Sequence, residues 1–306
     1  MRLPITCELW VDGVKVADGS AGNTDAPAAL DNLSVRWGRT TAVDQPEAST
    51  ASFSILDRGA GSTRVDKMVA LGSQVLVYAT APAARRCVFA GRVTDLTVAY
   101  DDGAGGSVLD AVAVDLLGDL ANRYVGSEPW PMETAQARAN RIKTAISTGG
   151  PGVVTVDTRP AALDVSRVDV DRQSAADLYR ELATSTTGVL WVVVPTDTAA
   201  PTLRIEDTTN RQSMWNFMKG PDNLWRPYPS PTAGTPISSC AILRSPVKWS
   251  RATADLITRA TVRWLDQTTS PETTERSVGQ VDAAAEAKYG ARGLSVATIL
   301  ANEAAA

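Results

Sequence analysis

The chain has 306 residues, 44% of them hydrophobic and 21% charged, and its formal net charge is −4. That is enough material for two or three small domains with a substantial core. The acidic balance excludes a nucleic-acid clamp, which needs a clustered patch of Lys and Arg to hold phosphates. Histidine is absent, so Ser-His-Asp, Cys-His and His-based zinc chemistry are excluded together.

Cys7, Cys87 and Cys240 are widely spaced with no C-x-x-C pair, and they read as buried small hydrophobes. The longest apolar run, Val189 to Val194, has the length of a buried strand and falls far short of the ~20 residues of a membrane helix. The opening MRLPITCELWVDG lacks an apolar stretch after its one Arg, so no signal peptide is read and cytoplasmic synthesis is expected.

From Ile5 to about Leu120 the chain alternates short apolar-polar runs with Gly, Pro and Asp clusters, the pattern of a barrel or sandwich. Cys7, Leu9 and Val11 point one way, Asp12-Gly13 turns the chain, and Val14 and Val16 return. Gly19 to Pro27 reads as a loop. Val35 and Trp37 share a strand face, a polar connection through Asp44, Gln45 and Pro46 follows, and a second strand alternates around Phe53 and Ile55 before Asp57-Arg58-Gly59 stops it. Further strands are predicted at Gln74 to Ala79, Arg86 to Thr97 and Ser107 to Asp115, with a bulge-like Gly91 bending the long one. Asp101 to Gly106 reads as a hairpin tip.

The spacing of Ala135, Ala139, Ile142 and Ile146 predicts a helix over Glu133 to Ile146, ended by Gly149 and Gly150. A second helix opens at Ser174, where Ser-Ala-Ala-Asp matches a capping box, carries Leu178, Tyr179 and Leu182 on one stripe, and stops at Gly188. The strands VLWVVV and TLRIED follow, and the unit reads as a compact α+β domain. Gln212 to Pro236, rich in Pro and Trp, reads as an irregular connection, and strands resume at Ala241 to Trp249 and Leu256 to Leu265. Val-Arg-Trp occurs twice, at Val35 to Trp37 and at Val262 to Trp264.

Eight tryptophans stand beside three phenylalanines. Trp10, Trp37, Trp191, Trp249 and Trp264 lie in strand patterns and are assigned to core packing. Trp130, Trp215 and Trp225 lie in proline-rich irregular segments and are the candidate interface residues, filling an inter-domain or subunit seam. Asp101-Asp102 and Asp169-Val170-Asp171 lack the ligand spacing of a Ca²⁺ loop and read as a solvated hairpin tip and a helix N-terminal charge. Glu206-Asp207 are adjacent, whereas glycosidase carboxylates face each other across a substrate. Neither a catalytic residue nor a cofactor or metal site is assigned.

The order W-G-R (Trp37 to Arg39), D-x-P-E-A-S (Asp44 to Ser49) and F-S-I-x-D (Phe53 to Asp57) resembles the N-terminal barrel of hub proteins at the tail tip of long-tailed phages that infect actinobacteria. Three more segments resemble the same proteins in the family's order: PMETAQARANRIKTAI, the run SAADLYRELATSTTGVLWVVV with TLRIED, and DAAAEAKYGARGLSVATIL with its Tyr289-Gly290 turn and Arg292. The resemblance implies a mainly β (α+β) chain with two tail-tube-like β-barrel domains and a small helix-containing α+β domain between them. The boundaries expected are 1–120 for the first barrel, 121–211 for the middle domain and 212–306 for the second barrel. The family's chains continue past the Tyr-Gly segment, whereas this one stops at Glu303 and three alanines, so an incomplete second barrel, interleaved with the middle segment, is also expected.

The implied function is structural. A homotrimeric hub without enzymatic activity would adapt a hexameric tail tube to a trimeric tip, line or close the channel, and anchor receptor-binding proteins for genome ejection. Its implied partners are its own copies, a distal tail or tail tube protein, a tape measure protein and receptor-binding or fibre proteins, with no specific nucleic-acid binding and no membrane segment. Its implied place is the virion tail tip after assembly in the host cytoplasm. The rival from another class is a carbohydrate-binding β module that recognises cell-wall glycans through exposed Trp.

Overall fold

A computed structural model describes residues 6–19, 26–37, 45–57, 67–81, 84–100, 107–126, 128–146, 150–194, 201–207, 215–219, 225–229, 256–267 and 274–301, with 57, 81, 84, 100, 215–219 and 225–229 described by their backbone alone. The Asp101 tip, the strand expected at Ala241 to Trp249 and Cys240 lie outside these residues.

Seven strands, β1 (Thr6–Val11), β2 (Val14–Asp18), β3 (Ala28–Arg36), β4 (Thr50–Asp57), β5 (Gln74–Ala81), β6 (Ala84–Tyr100) and β7 (Ser107–Asp115), close into a barrel in the order β1-β2-β3-β4-β7-β6-β5. The β1–β2 turn forms where expected, because Asp12 and Gly13 both take positive φ, 47° and 82°, the geometry that matches strand twist. β2 and β3 run parallel, and every other neighbouring pair is antiparallel. Alternation delivers Leu9, Val11, Phe53, Ile55, Val75, Val77, Leu109 and Ala113 to the buried interior. The bend in β6 comes from bulges at Val88 and Thr94, where the register skips a residue against β5 and β7. Gly91, expected as the bulge, lies between them and meets a different need: a Cβ there would sit 2.2 Å from the Val114 carbonyl oxygen.

The middle layer contains α1 (Leu116–Ala121), β8 (Tyr124–Val125), β9 (Pro129–Trp130), β10 (Glu133–Thr134), α2 (Ala135–Ala145), β11 (Val154–Val156), α3 (Thr158–Ala161), β12 (Asp164–Val165), β13 (Val168–Asp169), β14 (Gln173–Ser174), α4 (Ala175–Ser185), β15 (Gly188–Val193) and β16 (Thr202–Asp207). Side-chain caps hold the two long helices: Ser174 accepts from Asp177 N as predicted, and Thr134, expected inside the first helix, instead stands before it and accepts from Ala137 N. α4 ends at Thr186 and Thr187, before the glycine expected to stop it. Gly188 opens β15 instead, where a Cβ would meet Ile205 at 2.5 Å. α2 and α4 pack on a β11-β16-β15 sheet around Ala139, Ile142, Tyr179, Leu182, Leu190 and Ile205.

This layer is an internal repeat. The order helix, three short strands, helix, strand occurs first as α1-β8-β9-β10-α2-β11 and again as α3-β12-β13-β14-α4-β15. The short strands pair as β8–β14, β9–β13 and β10–β12, the pattern of a two-fold axis through the central pair. Thr134 and Ser174 are equivalent caps, Ile142 and Leu182 equivalent core residues, and Val125 and Val165 equivalent buried valines. The amides of Ala135 and Ala175 donate to Leu163 O and Arg123 O, both at 2.8 Å.

The segment expected as the second barrel is described in part. It contains the hairpin β17 (Trp215–Lys219) and β18 (Trp225–Pro229), where an irregular connection was expected. A three-stranded sheet, β20-β19-β21, is formed by β19 (Arg259–Asp266), β20 (Thr274–Val281) and β21 (Gly293–Ala297), with α5 (Ala283–Tyr289) before the Gly290 turn. Every residue of β20 is exposed.

Candidate functional site

The features that organise this molecule's surfaces are a seam between barrel and middle layer, a buried cation, and a strap from the C-terminal sheet. At the seam, Gln45 holds the open edge of β15. Its side-chain amide donates to Gly188 O at 3.0 Å, and its oxygen accepts from Leu190 N at 2.9 Å. One side chain thus imitates a neighbouring strand and closes an edge that would otherwise attract one. Asp115 joins the same seam, accepting from Ser49 N at 2.9 Å and capping α1 through Gly118 N at 3.2 Å. Burial pushes its carboxyl above the usual range although these amides pull it down.

Beside these residues lies a cavity of about 260 Å³ lined by Trp37, Pro46, Phe89, Asp115, Trp191 and Val194, among others. Trp37, assigned to the core, is 66% exposed beyond the end of β3. A core ring needs a strand partner and an opposing layer, and Trp37 follows the last β3 residue paired to β4, Arg36. Its counterpart Trp264 stands inside β19 and is buried. Trp10 also leaves the interior: it packs edge-on against Tyr78 outside the barrel, where Arg85 lies 3.7 Å from the Tyr78 ring and 4.9 Å from the Trp10 ring.

The expected interface tryptophans stand on three different strands. Trp130 is 7% exposed in the core of the middle layer, against which Ala48 and Ile299 also pack. Its ring packs between segments of one chain. Trp215 pairs with Pro229 and Trp225 with Lys219 at opposite ends of the β17–β18 hairpin.

Over the Trp130 ring lies the Arg138 guanidinium, 5.6 Å from its centroid. Arg138 is almost fully buried and donates to Glu133 at 2.7 Å, Pro131 O at 2.8 Å and Ser166 O at 2.9 Å. Desolvation pushes the Glu133 carboxyl up, but hydrogen bonds from Arg141 and Arg138 outweigh it, and the net shift is downward. Tyr179 donates its hydroxyl to Ala139 O at 3.2 Å, and burial pushes that hydroxyl well above its usual range. Asp207, read with Glu206 as an adjacent acidic pair, is buried beside Arg159, and its amide donates to Asp157. Asp169 pairs with Pro129 in β13, and the acidic residue in the first turn of α4 is Asp177.

The strap runs through Ile299, Leu300 and Ala301. Ser166 N donates to Ile299 O at 2.7 Å, Ser166 Oγ to Leu300 O at 3.1 Å, Ile299 N to Ser185 Oγ at 3.1 Å and Ala301 N to Asp164 O at 3.1 Å. It adds a short antiparallel edge to β12 and ties the C-terminal sheet to the middle layer. On the barrel's outer wall a second cavity, about 290 Å³, is lined by Asn32, Ser52, Ser54, Asp95, Thr97 and Asp110 together with the apolar Phe53, Ala111 and Val112. Among the described residues no cluster of three metal-ligating side chains is present, and no helix is long and apolar enough to cross a membrane.

Neither a protein-family model nor a curated protein matches this sequence. Solved structures do match. The 43 kDa tail protein of prophage MuSo2 from Shewanella oneidensis is 13% identical, with a TM-score of 0.54 over 96% of this chain and 73% of its own. The tail protein from Neisseria meningitidis MC58 is 14% identical, with a TM-score of 0.53 over 98% of this chain and 73% of its own. The chain shares the fold of these two tail proteins: mainly β, with a closed seven-stranded barrel and a small helical layer.

Proposed function

We propose that the chain is a structural component of a phage tail tip, acting as a trimeric hub between a hexameric tube and a trimeric tip. The observation that carries this reading is the fold match across nearly the whole chain to two tail proteins, barrel and middle layer together. The resemblance in segment order to actinobacteriophage hubs supports the finer assignment. In this role the chain lines or closes the channel, meets tail tube or distal tail and tape measure proteins, and anchors receptor-binding proteins until the genome is ejected. Its place is the tail tip of the virion, after assembly in the host cytoplasm.

The barrel wall bearing Asn32, Ser52, Ser54, Asp95, Thr97 and Asp110 is suited to face passing DNA, because short side chains and carboxylates offer phosphates no cationic hold. A non-enzymatic role is supported by the engagement of Asp115, Glu133 and Asp207 as a cap and ion-pair partners. Native mass measurement with purified tube protein tests the proposal: a trimer that caps tubes is expected, and a monomer at every concentration that ignores tubes overturns it.

A glycan-binding module is the second reading, favoured by the exposed Trp37 at the mouth of the seam cavity. It transfers the sugar platform from the buried Trp130 to Trp37. Saturable glycan binding by monomers, lost in Trp37→Ala, would establish it over the hub.

A further inference from the structure

Among the described residues, the repeat in the middle layer has one occupied strand edge and one open equivalent. On the second half, β12 is flanked by β10 on one side and by the strap on the other. On the first half, β8 is flanked by β14, and among the described residues no strand adjoins its outer edge. The side chains report the difference. Val165 beneath the strap and its equivalent Val125 are both buried, so the difference falls on the residue before each. Tyr124, equivalent to the Asp164 that accepts from the strap, is 68% exposed.

We propose that the outer edge of β8, from Tyr124 to Gly126, is a docking site for an extended, uncharged, apolar segment of a partner protein, which adds a short antiparallel strand as the strap does on β12. The strap identifies the occupant's chemistry. Ile299-Leu300-Ala301 is uncharged, pairs through its backbone, and places Ile299 against the shared core. The two edges also differ in a way that sets specificity. Ser166 and Ser185, whose hydroxyls grip the strap, are replaced at the equivalent positions by Gly126 and Ala145. The β8 edge therefore relies on backbone pairing and on the Tyr124 ring, and it accepts bulkier apolar residues than its twin. Gly126 lies at φ 90°, so its replacement would strain the backbone and is avoided in the test.

The site is independent of the tail-tip reading and is tested on the full chain with a capped peptide, acetyl-ATILAN-amide, the sequence of Ala297 to Asn302. Binding is read by amide hydrogen exchange and by NMR shifts. Saturable binding that protects Tyr124, Val125 and Gly126 is expected, weakened about tenfold when the peptide's second alanine amide is N-methylated. Ala145→Ser, which restores the hydroxyl found at Ser185, is expected to tighten binding about threefold. Absence of binding at millimolar peptide, or changes confined to Asp164–Ser166 through displacement of the strap, would overturn the proposal. So would equal affinity for the N-methylated peptide, since side-chain adhesion alone would then explain binding.

Discussion

The two halves of the middle layer share an order of elements and a pairing pattern, yet they are stabilised differently. The first half spends its buried position at Arg138 on a cation that Glu133 and two carbonyls hold beneath Trp130. The second half has Leu178 and Val170 at the corresponding places, both buried. Where the first half is held by a polar network, the second is held by apolar packing and by the strap. A repeated backbone therefore constrains helix starts and strand pairs more tightly than it constrains what fills the space between them.

The largest effect should ignore the difference. Ile142→Ala and Leu182→Ala remove equivalent, fully buried side chains, and each is expected to cost about 3 kcal/mol in denaturant unfolding. A tenfold smaller effect at either position would break the equivalence. The difference itself is read by Arg138→Met against Leu178→Met. The first strips partners from Glu133, Pro131 O and Ser166 O and should cost about 2 to 3 kcal/mol, whereas the second preserves volume and should cost under about 1 kcal/mol. Thr134→Ala and Ser174→Ala each remove a cap hydrogen bond, and melting shifts should correspond to about 1 kcal/mol apiece.

The smallest effect is electrostatic and centres on Glu133 in the first half. Glu133 has a folded pKa below its usual 4.5, so its contribution is present above that value and is lost as pH falls through the folded pKa. Its equivalent is the neutral Gln173. Glu133→Gln should flatten the acid limb of stability measured by urea titration, and Gln173→Ala should leave its slope unchanged. Asp115 acts with the opposite sign: its raised pKa makes stability fall as pH rises through the window above 3.8.

Local chemistry made several elements legible before any coordinates. Asp12-Gly13 specified the first turn, Ser-Ala-Ala-Asp the start of α4, and the alternation around Phe53 and Ile55 the inward face of β4. The repeat was missed, although Glu133-Thr134-Ala135 and Gln173-Ser174-Ala175 stand at equal spacing before the two helices and could have revealed it. Val-Arg-Trp offered a more visible repeat that the structure does not support as equivalence, since Trp37 is exposed and Trp264 buried. Gln45 carried no signal of its role, because its partners Gly188 and Leu190 lie far along the chain.

By itself the sequence determined the mainly β class, the Asp12-Gly13 turn, the Ser174 cap and the inward face of strands such as β4. These depend on φ preferences, neighbouring hydrogen bonds and side-chain periodicity, all of which act over a few residues. Tertiary structure alone decided that seven strands close, that Gly91 is needed for close approach, that Gln45 seals β15, and that the strap covers β12. Those outcomes depend on which distant backbone groups meet after the chain has packed, and short-range patterning does not encode that.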